Sequence, residues 1–464
     1  MRLRPIVMMG MAALLAAIPG ATAALAATIR VAPSDAASLQ GVLDAASLGD
    51  VVRLAPGTHA GPLAIRVPLT LEGEAGAIVA GNKQGTVITV TSPGVVVKGL
   101  SISGSGSDLS TMDSGVFVAK TAAGAVIEQN VLTGNLYGIY LHGAKDSLAR
   151  ANRIVGIKNG RMSEAGNGVT VWNAPGARVL DNDISFGRDG IATNASRQNV
   201  FSGNRLHDLR FAIHYMYTND SEISGNVSTG NSVGYAIMFS SRLKITDNVS
   251  DGDRDHGLLL NYANGSQISG NTVHGRLQPE ERWTLAGTRA SDPEMPPEAD
   301  SSVPTANAAS SGSMRLGPEK CVFVYNANKN RVTDNFFEGC AIGIHFTAGS
   351  EGNRLAGNAF VQNRNQVKYV GTRHVDWSEG GRGNYWSDNP AFDLDGDGIG
   401  DNPYRPNDLI DKVLWTSPQA KVLVSSPAVQ VIRWAQAQFP VLLPGGVVDS
   451  HPLMAPPARR ATLP

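Results

Sequence analysis

The stretch Asn248-Val-Ser-Asp-Gly-Asp-Arg-Asp-His-Gly-Leu-Leu-Leu260 contains one copy of a unit that recurs along this 464-residue chain. Each copy has an asparagine, an apolar residue, a polar turn and then a Gly-apolar-x-apolar run. The copies follow one another at intervals of 22, 30, 22, 22, 22, 23, 64 and 23 residues, counted between the asparagines Asn130, Asn152, Asn182, Asn204, Asn226, Asn248, Asn271, Asn335 and Asn358. A period this short and regular is typical of a solenoid.

The pattern within each unit indicates which kind of solenoid the chain forms. Only short strand patterns are present, without a helical segment of about ten residues between them. About 22 residues can form three short strands and their turns, and equivalent positions on successive coils then lie about 4.8 Å apart. Asparagines at one turn can form a ladder of side-chain amides. The sequence therefore predicts an all-β fold, a right-handed parallel β-helix with coils of about 22 residues.

Eight runs align as the same strand on successive coils. Their second and fourth residues are almost all aliphatic or aromatic, whereas the third and fifth are mixed. Because strand side chains alternate, the second and fourth are predicted to point into the core and the third and fifth to point outward. The runs are Gly138–His142, Gly168–Trp172, Gly190–Asn194, Ala212–Met216, Ala236–Ser240, Gly257–Asn261, Cys321–Tyr325 and Gly343–Thr347.

The N-terminus has the features of an export signal. Arg2 and Arg4 precede an apolar run at residues 6–18, and Ala24-Leu-Ala26 is a suitable cleavage site. We therefore expect residues 1–26 to be a signal peptide and the mature protein to reside in the periplasm. An uncleaved membrane anchor is the alternative, but the apolar run is short for a membrane span.

The rest of the chain is predicted to form one elongated domain and a tail. The β-helix is expected over residues 27–410, with a short helix at 36–46 that caps its N-terminal end. The 64-residue interval equals one coil plus 42 residues rich in Pro, Ser, Ala and Glu, which predicts a surface insertion at about 276–318. Residues 411–464 are expected to be a helical and extended tail, with an amphipathic helix at 427–439.

Charge and cysteine content restrict the possible functions. The formal net charge is −1, so neither nucleic acid nor an anionic membrane surface is an expected partner. The two cysteines, Cys321 and Cys340, differ by about three residues in their position within the repeat. Along a straight strand this offset corresponds to about 10 Å, which is too far for a disulfide. We therefore expect two buried thiols, unless the chain bends between them.

His214, Met216 and Met238 are candidate ligands of a soft metal ion. In the alignment, His214 and Met238 share one outward position on adjacent coils, and Met216 follows His214 on the same face. Imidazole and thioether ligands together suit copper(I), and an outward methionine would otherwise expose apolar surface. His256 begins the next strand and is a fourth candidate. The alternative is that the methionines pack beneath a loop or partner and that His214 is an ordinary exposed residue.

Asp393-Leu-Asp395-Gly-Asp397-Gly-Ile-Gly-Asp401 is a candidate calcium-binding loop. Its aspartates occupy positions one, three, five and nine, and Gly398 occupies position six, as in a calcium loop of the EF-hand type. Tyr404 stands at position twelve, where the usual bidentate glutamate is missing. The alternative is a metal-free Asp/Gly turn, in which the carboxylates accept hydrogen bonds from nearby backbone amides.

The run Asp251-Gly-Asp-Arg-Asp-His256 raises an enzymatic alternative. Carboxylates and a histidine on a parallel β-helix could act as acid and base on an acidic polysaccharide, as in polyuronate lyases and epimerases. Such an enzyme would need a long groove lined by aromatic and basic residues, which the predicted outward column does not provide. We therefore assign no catalytic residues.

Several motifs resemble the NosD family. Within the repeats these are His214-Tyr-Met-Tyr-Thr-Asn-Asp220, Gly234-Tyr-Ala-Ile-Met-Phe239 and Gly343-Ile-His-Phe-Thr-Ala-Gly349. More specific matches lie outside the repeats, at Gln366-Val-Lys-Tyr-Val-Gly371, Gly383-Asn-Tyr-Trp-Ser-Asp388, the Asp/Gly loop and Gly446-Val-Val-Asp-Ser450. The likeness extends from about residue 28 to Met454.

The resemblance implies a periplasmic β-helix of the carbohydrate-binding and sugar-hydrolase (CASH) type that lacks hydrolase activity. It implies an accessory, metallochaperone-like role in assembling the copper sites of nitrous oxide reductase. The implied partners are the permease and ATPase subunits of an ABC transporter, a copper chaperone lipoprotein and nitrous oxide reductase, with membrane contact only through the permease. The resemblance supplies no ligand residues, so the copper ligands named above are predicted only from their outward positions on adjacent coils.

Overall fold

The computed structural model describes residues 26–34, 38–159, 161–284, 313–371, 373–423, 425–438 and 445–460. They form a parallel β-solenoid of roughly fourteen turns with about 23 residues per turn, which confirms the predicted all-β solenoid. Most turns contribute one short strand to each of three parallel sheets, called here sheets A, B and C in chain order. Apart from Ala26, the predicted signal peptide lies outside the described residues.

Neighbouring strands in each sheet belong to successive coils. Sheet A contains Thr28–Val31, Val51–Leu54, Thr70–Gly73, Val96–Lys98, Val126–Glu128, Leu148–Arg150, Arg178–Leu180, Val200–Ser202, Glu222–Ser224, Lys244–Thr246, Gln267–Ser269, Arg331–Thr333 and Arg354–Ala356. Sheet B contains Gly57–Ala60, Ala77–Ala80, Ser101–Ser103, Val131–Thr133, Arg153–Val155, Asp183–Ser185, Arg205–His207, Val227–Thr229, Val249–Asp251, Thr272–His274, Phe336–Glu338, Ala359–Val361 and Tyr385–Trp386. Sheet C contains Leu63–Ile65, Ile88–Val90, Ser114–Val118, Tyr137–His142, Val169–Trp172, Asp189–Asn194, Phe211–Met216, Val233–Met238, His256–Asn261, Lys320–Tyr325, Ile342–Thr347 and Asn365–Val370.

The predicted asparagine ladder is present at the corner between sheets A and B. From Asn130 to Asn335, each Nδ2 donates to Oδ1 of the next asparagine at 2.8–3.1 Å. The 64-residue interval is bridged like the others, because Asn271 donates to Asn335 at 2.9 Å. The insertion therefore leaves the solenoid and returns to the next coil. The ladder continues through Asn358 to Asn384, which lies against the buried Asp449.

Both ends of sheet C are covered. At the N-terminal end the helix Leu39–Ala45 buries Leu39 and Leu43, which confirms the predicted cap. Gln40 exchanges two hydrogen bonds, of 3.0 and 2.8 Å, with the backbone of Ala64 on the first strand. These bonds satisfy backbone groups that an open edge strand would otherwise expose. At the other end, Asn407 donates to the backbone oxygen of Val367 at 2.7 Å.

The insertion and the tail contain the remaining elements. Antiparallel strands Arg276–Pro279 and Met314–Gly317, with the helix Glu281–Thr284, form the base of the insertion, whereas Met295 and the rest of residues 285–312 lie outside the described residues. No helix in the described ranges is long and apolar enough to cross a membrane. The tail has helices Leu409–Thr416 and Pro427–Gln438, with the 3₁₀ segment Pro418–Leu423 between them. The strand Val375–Asp376 pairs with Val447–Val448. A second 3₁₀ segment, Met162–Glu164, lies within the solenoid, in the loop between the strands Arg153–Val155 and Val169–Trp172.

The prediction of two free thiols is wrong. Cys321 and Cys340 form a disulfide with a Cα–Cα distance of 5.6 Å. Cys321 belongs to the sheet C strand Lys320–Tyr325, whereas Cys340 lies in the turn after the sheet B strand Phe336–Glu338. The offset of about three residues therefore runs around a corner rather than along a straight strand, and the bend brings the two side chains together.

One of the eight aligned runs is also wrong, by two residues. His214 is in register with Ala236, and Met216 is in register with Met238. The strand around Met238 therefore begins its repeat at Gly234, not at Ala236. A Cβ at Gly234 would lie 2.6 Å from the backbone oxygen of Gly257, so this corner requires glycine. The shift preserves the alternation, and Met238 still faces outward, but Phe239 leaves the predicted core and is exposed.

Candidate metal centre

Three of the predicted ligands lie together on the outer face of sheet C. Met216 and Met238 are register partners on adjacent parallel strands, so their backbones are about 4.8 Å apart. His214 precedes Met216 by two residues on the same strand and therefore projects from the same face. All three residues are half-buried. The register thus places one imidazole and two thioethers on the same face of two adjacent strands.

His214 is held by a buried carboxylate. Its Nδ1 lies 3.1 Å from Oδ2 of Asp189, whose side chain is 3% exposed. Arg210 donates two hydrogen bonds to the same carboxylate, at 2.8 and 2.6 Å. Burial works to raise the pKa of Asp189, but the hydrogen bonds from His214 and Arg210 outweigh it and hold that pKa below its usual value. Because an ionised carboxylate only accepts hydrogen bonds, Nδ1 of His214 carries the proton.

The other ring nitrogen of His214, Nε2, is the candidate metal donor. Nε2 is buried and has no hydrogen-bond partner among the described residues. The ring of Phe211 packs edge-on against the imidazole, with centroids 5.0 Å apart. A histidine with Nδ1 bonded to a carboxylate and Nε2 free is the arrangement that orients imidazole towards a metal ion. Together with two thioethers, this nitrogen forms a donor set that suits cuprous copper.

His256, the fourth predicted copper ligand, lies elsewhere on sheet C. Its register partner on the preceding strand is Val233, five residues before Met238, which corresponds to about 17 Å along the strand. The ring of His256 packs against Phe323 at 5.4 Å, and His345 packs against the same ring at 4.9 Å. Burial is the main cause that lowers the pKa of His256 and of His345 to about 4. The structure therefore does not bring His256 to the other three ligands.

The predicted calcium loop brings three carboxylates together. One oxygen from each of Asp393, Asp395 and Asp397 lies within 4.8 Å of the others. Asp393 accepts backbone hydrogen bonds from Gly396 and Gly398 at 2.6 and 2.8 Å. Asp401, at position nine, accepts one from the amide of Leu394 at 2.9 Å. The loop thus combines the convergence of a cation site with the backbone hydrogen bonds of an Asp/Gly turn.

The carboxylates of the acidic run Asp251–His256 already form ion pairs and hydrogen bonds within the fold. Asp251 pairs with His274 at 3.0 Å and with Arg276. Asp253 is fully buried and accepts hydrogen bonds from Ser228, Ser250 and the amide of Asn231. Desolvation raises the pKa of Asp253 to about 6. The carboxylates of this run therefore have different partners and do not converge on one groove.

Sequence reasoning did not identify Asp189 and Arg210. Asp189 precedes His214 by 25 residues, which is one 22-residue coil plus three positions along the strand. That offset places the carboxylate near the imidazole only when the strands are in the register Ala192–His214. The usable signal was the Asp-Gly pair at Asp189 and Gly190, because the glycine marks the corner and fixes the register of the aspartate before it.

The chain is similar to proteins of one family over most of its length. A family model described as "Periplasmic copper-binding protein (NosD)" matches residues 150–391. A protein of Stutzerimonas stutzeri named "Probable ABC transporter binding protein NosD" is 38% identical over 408 residues, which cover 88% of this chain and 87% of the relative. A protein of the same name from Pseudomonas aeruginosa is 39% identical over 406 residues, covering 87% and 88% of the two chains.

A solved structure matches the fold at much lower identity. The Dettilon tailspike protein (gp208) superposes with a TM-score of 0.51 and 16% identity, covering 74% of this chain and 68% of the tailspike chain. At this identity the likeness concerns the β-solenoid alone.

Proposed function

Because the chain belongs to the NosD family, we propose that it is a periplasmic copper-handling protein that binds cuprous copper through His214, Met216 and Met238. The observation that carries this proposal is the geometry of His214. Asp189 fixes its Nδ1 proton, and its free Nε2 projects from the same face as the two methionines. Copper is here a cargo that the protein receives and passes on.

The donor set favours weak, reversible binding of a soft ion. Thioethers and a neutral imidazole add no negative charge, so copper(I) is preferred over hard divalent cations. The ionised Asp189 remains outside the donor set and acts on the metal only through the imidazole. Exchange of the ion with a partner then needs no carboxylate or thiolate to be protonated, which suits a protein that transfers copper.

Family membership supports a proposal about the partners. We propose that the chain works as the accessory subunit of an ABC transporter with a permease and a cytoplasmic ATPase. It would receive copper from a lipoprotein chaperone and deliver it to nitrous oxide reductase for assembly of the copper sites. In this proposal, ATP hydrolysis occurs in the partner subunit, and the chain contacts the membrane only through the permease.

Titration of the mature protein with copper(I), in competition with bathocuproine disulfonate, tests the site. The variant combining His214→Ala, Met216→Ala and Met238→Ala is expected to lose stoichiometric binding. The control combines His207→Ala, Met112→Ala and Met162→Ala, which removes the same residue types at positions outside the site. If both variants bind one equivalent as tightly as the wild type, the site assignment is wrong.

We further propose that Asp393, Asp395, Asp397 and Asp401 bind calcium and stabilise the end of the solenoid. The convergence of the first three carboxylates supports this proposal. Calcium that binds only the folded state raises the melting temperature. The increase should disappear in the variant combining Asp393→Asn and Asp395→Asn, while the Asp146→Asn control keeps it. A wild-type melting temperature unaffected by millimolar calcium would favour the metal-free turn.

A further inference from the structure

A groove of about 520 Å³ lies next to the proposed copper site, where the sheet C strands turn towards sheet A. Three cationic side chains line it, those of Lys120, Lys145 and Arg197. The remaining lining residues are small or polar: Gly143, Asn173, Pro175, Ala195 and Ser196. The groove is therefore basic along its walls and has few bulky side chains.

The groove reaches the coil that precedes Met216. Asn194, the residue before Ala195, is the register partner of Met216, and the Ala195 amide donates to the Met216 carbonyl at 3.2 Å. A partner segment that lies in the groove would therefore end within one coil of the paired thioethers, a step of about 4.8 Å.

The cations of the groove form no close ion pair with the residues that the structure describes. Lys120, Lys145 and Arg197 are exposed, and no carboxylate in the described ranges is within ion-pair distance of any of them. Asp220, on the next coil, is engaged by Arg242 at 2.5 and 2.8 Å, and the more distant positive charge of Arg197 also helps to lower the pKa of this carboxyl. In a chain of net charge −1, these three groups concentrate positive charge beside the metal site, which attracts acidic surfaces and speeds their association.

The length of the groove indicates the size of its ligand. Lys120 follows the strand Ser114–Val118, and Arg197 follows the strand Asp189–Asn194, three coils further along sheet C. Three coil spacings correspond to about 14 Å. A single phosphate or carboxylate cannot contact both ends of such a row. An extended peptide of about four residues spans the distance.

We infer that this groove binds an extended acidic segment of the protein that exchanges copper with this chain. Docking there would hold the metal ligands of the partner beside Met216 while the ion moves between the two proteins. The identity of the partner rests on the proposed function, but binding of an acidic peptide does not.

Charge reversal tests the groove without copper. The variant combines Lys120→Glu, Lys145→Glu and Arg197→Glu. Its control, Lys83→Glu with Arg153→Glu and Arg364→Glu, makes the same change in net charge at exposed positions elsewhere. Fluorescence anisotropy of a labelled hexaglutamate peptide should show binding to wild type and control, weakened as salt rises from about 20 to 200 mM. The groove variant should bind about tenfold or more weakly.

Three results would overturn the inference. Equal peptide affinity in the groove variant and in its control would mean that the groove is not the docking surface. Displacement of the peptide by inorganic phosphate at about 1 mM would indicate a small-anion site, although the 14 Å row argues against one. Tighter binding of oligomannuronate than of hexaglutamate would indicate a polysaccharide groove.

A second measurement connects the groove to copper transfer. Copper(I)-loaded protein is mixed with one of two acceptor peptides that share the same methionines but carry either glutamates or glutamines. We expect transfer to the acidic acceptor to be about tenfold faster, and the groove variant to lose this advantage while its copper affinity stays unchanged. Equal rates for both acceptors overturn the inference. Absence of copper binding by the wild type instead contradicts the proposed function and leaves the anisotropy result standing.

Discussion

Two regions on the outer face of sheet C contain histidines in opposite situations. His214 donates Nδ1–H to an ionised carboxylate, and its Nε2 has no hydrogen-bond partner among the described residues and lies on the same face as Met216 and Met238. His256 and His345 pack on either side of one phenylalanine, Phe323, and their Nδ1 atoms are buried without hydrogen-bond partners among the described residues. In the first region a carboxylate orients the imidazole, whereas in the second the imidazoles are neutral packing groups.

The difference lies in the charges that surround each ring. The half-buried Arg210 pairs with the buried Asp189, so His214 faces an ionised carboxylate. Around His256 and His345 the lysines Lys320 and Lys368 add to the effect of burial, and the pKa of both histidines falls to about 4. This contrast supports the proposal that His214, rather than His256 or His345, is a copper ligand, because a carboxylate orients its ring.

Single alanine substitutions should separate the two regions most strongly. His214→Ala removes the only nitrogen donor of the proposed copper site and is expected to weaken copper(I) binding by more than about 100-fold. His345→Ala changes the same residue type on the same sheet and should leave the affinity within about twofold. Competition titration with a chromogenic chelator measures both. A larger loss for His345→Ala than for His214→Ala would reverse the assignment.

The second region should determine the acid sensitivity of the fold. Because the pKa of folded His256 and His345 lies below the unfolded value of 6.5, their contribution to stability is present above pH 6.5. It is lost as the pH falls towards 4. After allowance for partial exposure, the loss is about 2 kcal/mol for each histidine. Denaturant unfolding at pH 7 and pH 4 measures it.

A double variant isolates this contribution. Asp253, with a pKa raised to about 6, changes stability in the opposite direction over the same pH range. The quantity to compare is therefore the difference between the wild type and the variant combining His256→Gln and His345→Gln, which should lose less stability between pH 7 and pH 4. His207→Gln, at a half-buried position on sheet B, is the control for the histidine-to-glutamine change itself. If the free energy of unfolding changes equally between pH 7 and pH 4 in the wild type and in the double variant, the neutral-packing role of the two histidines is contradicted.

The fold was predictable because the same residue types recur at equivalent positions of each coil. The asparagine column fixes the coil length, since each amide bonds to the next at hydrogen-bond distance, and the alternation on sheet C fixes which residues face outward. The corners were not predictable in the same way. Cys321 and Cys340 appeared too far apart because their offset was measured along a straight strand, whereas the chain turns between them.

The shared face of the candidate copper ligands was predictable from the sequence, but the hydrogen bonds that hold His214 were not. Alternation placed His214, Met216 and Met238 on the outer side of one sheet, although the alignment paired His214 with the wrong neighbour. The sequence did not identify Asp189 and Arg210, because their hydrogen bonds join different coils and depend on the strand register and on the side-chain rotamers. His256 seemed close because its strand follows that of Met238, but its position at the start of that strand separates it from the methionines.

Removal of the charge behind His214 should have an intermediate effect. Asp189→Asn preserves the shape of the side chain but removes the negative charge that fixes the Nδ1 proton, so copper affinity should fall about tenfold. Asp183→Asn, at a half-exposed carboxylate near His207, is the matched control and should leave the affinity unchanged. Circular dichroism confirms that each variant is folded. An affinity unchanged in Asp189→Asn would mean that the carboxylate does not position the imidazole for copper.

The smallest expected effect compares the two phenylalanines that contact these histidines. Phe323→Leu removes the ring between His256 and His345, and Phe211→Leu removes the ring that packs against His214. Each should lower the free energy of unfolding by about 1 kcal/mol, because aromatic contacts are lost while most of the apolar volume is kept. Only Phe211→Leu should also weaken copper binding, by about threefold, since it loosens the ring that carries the nitrogen ligand. Equal copper affinities for the two variants, with equal losses of stability, would show that the packing around His214 serves the fold alone.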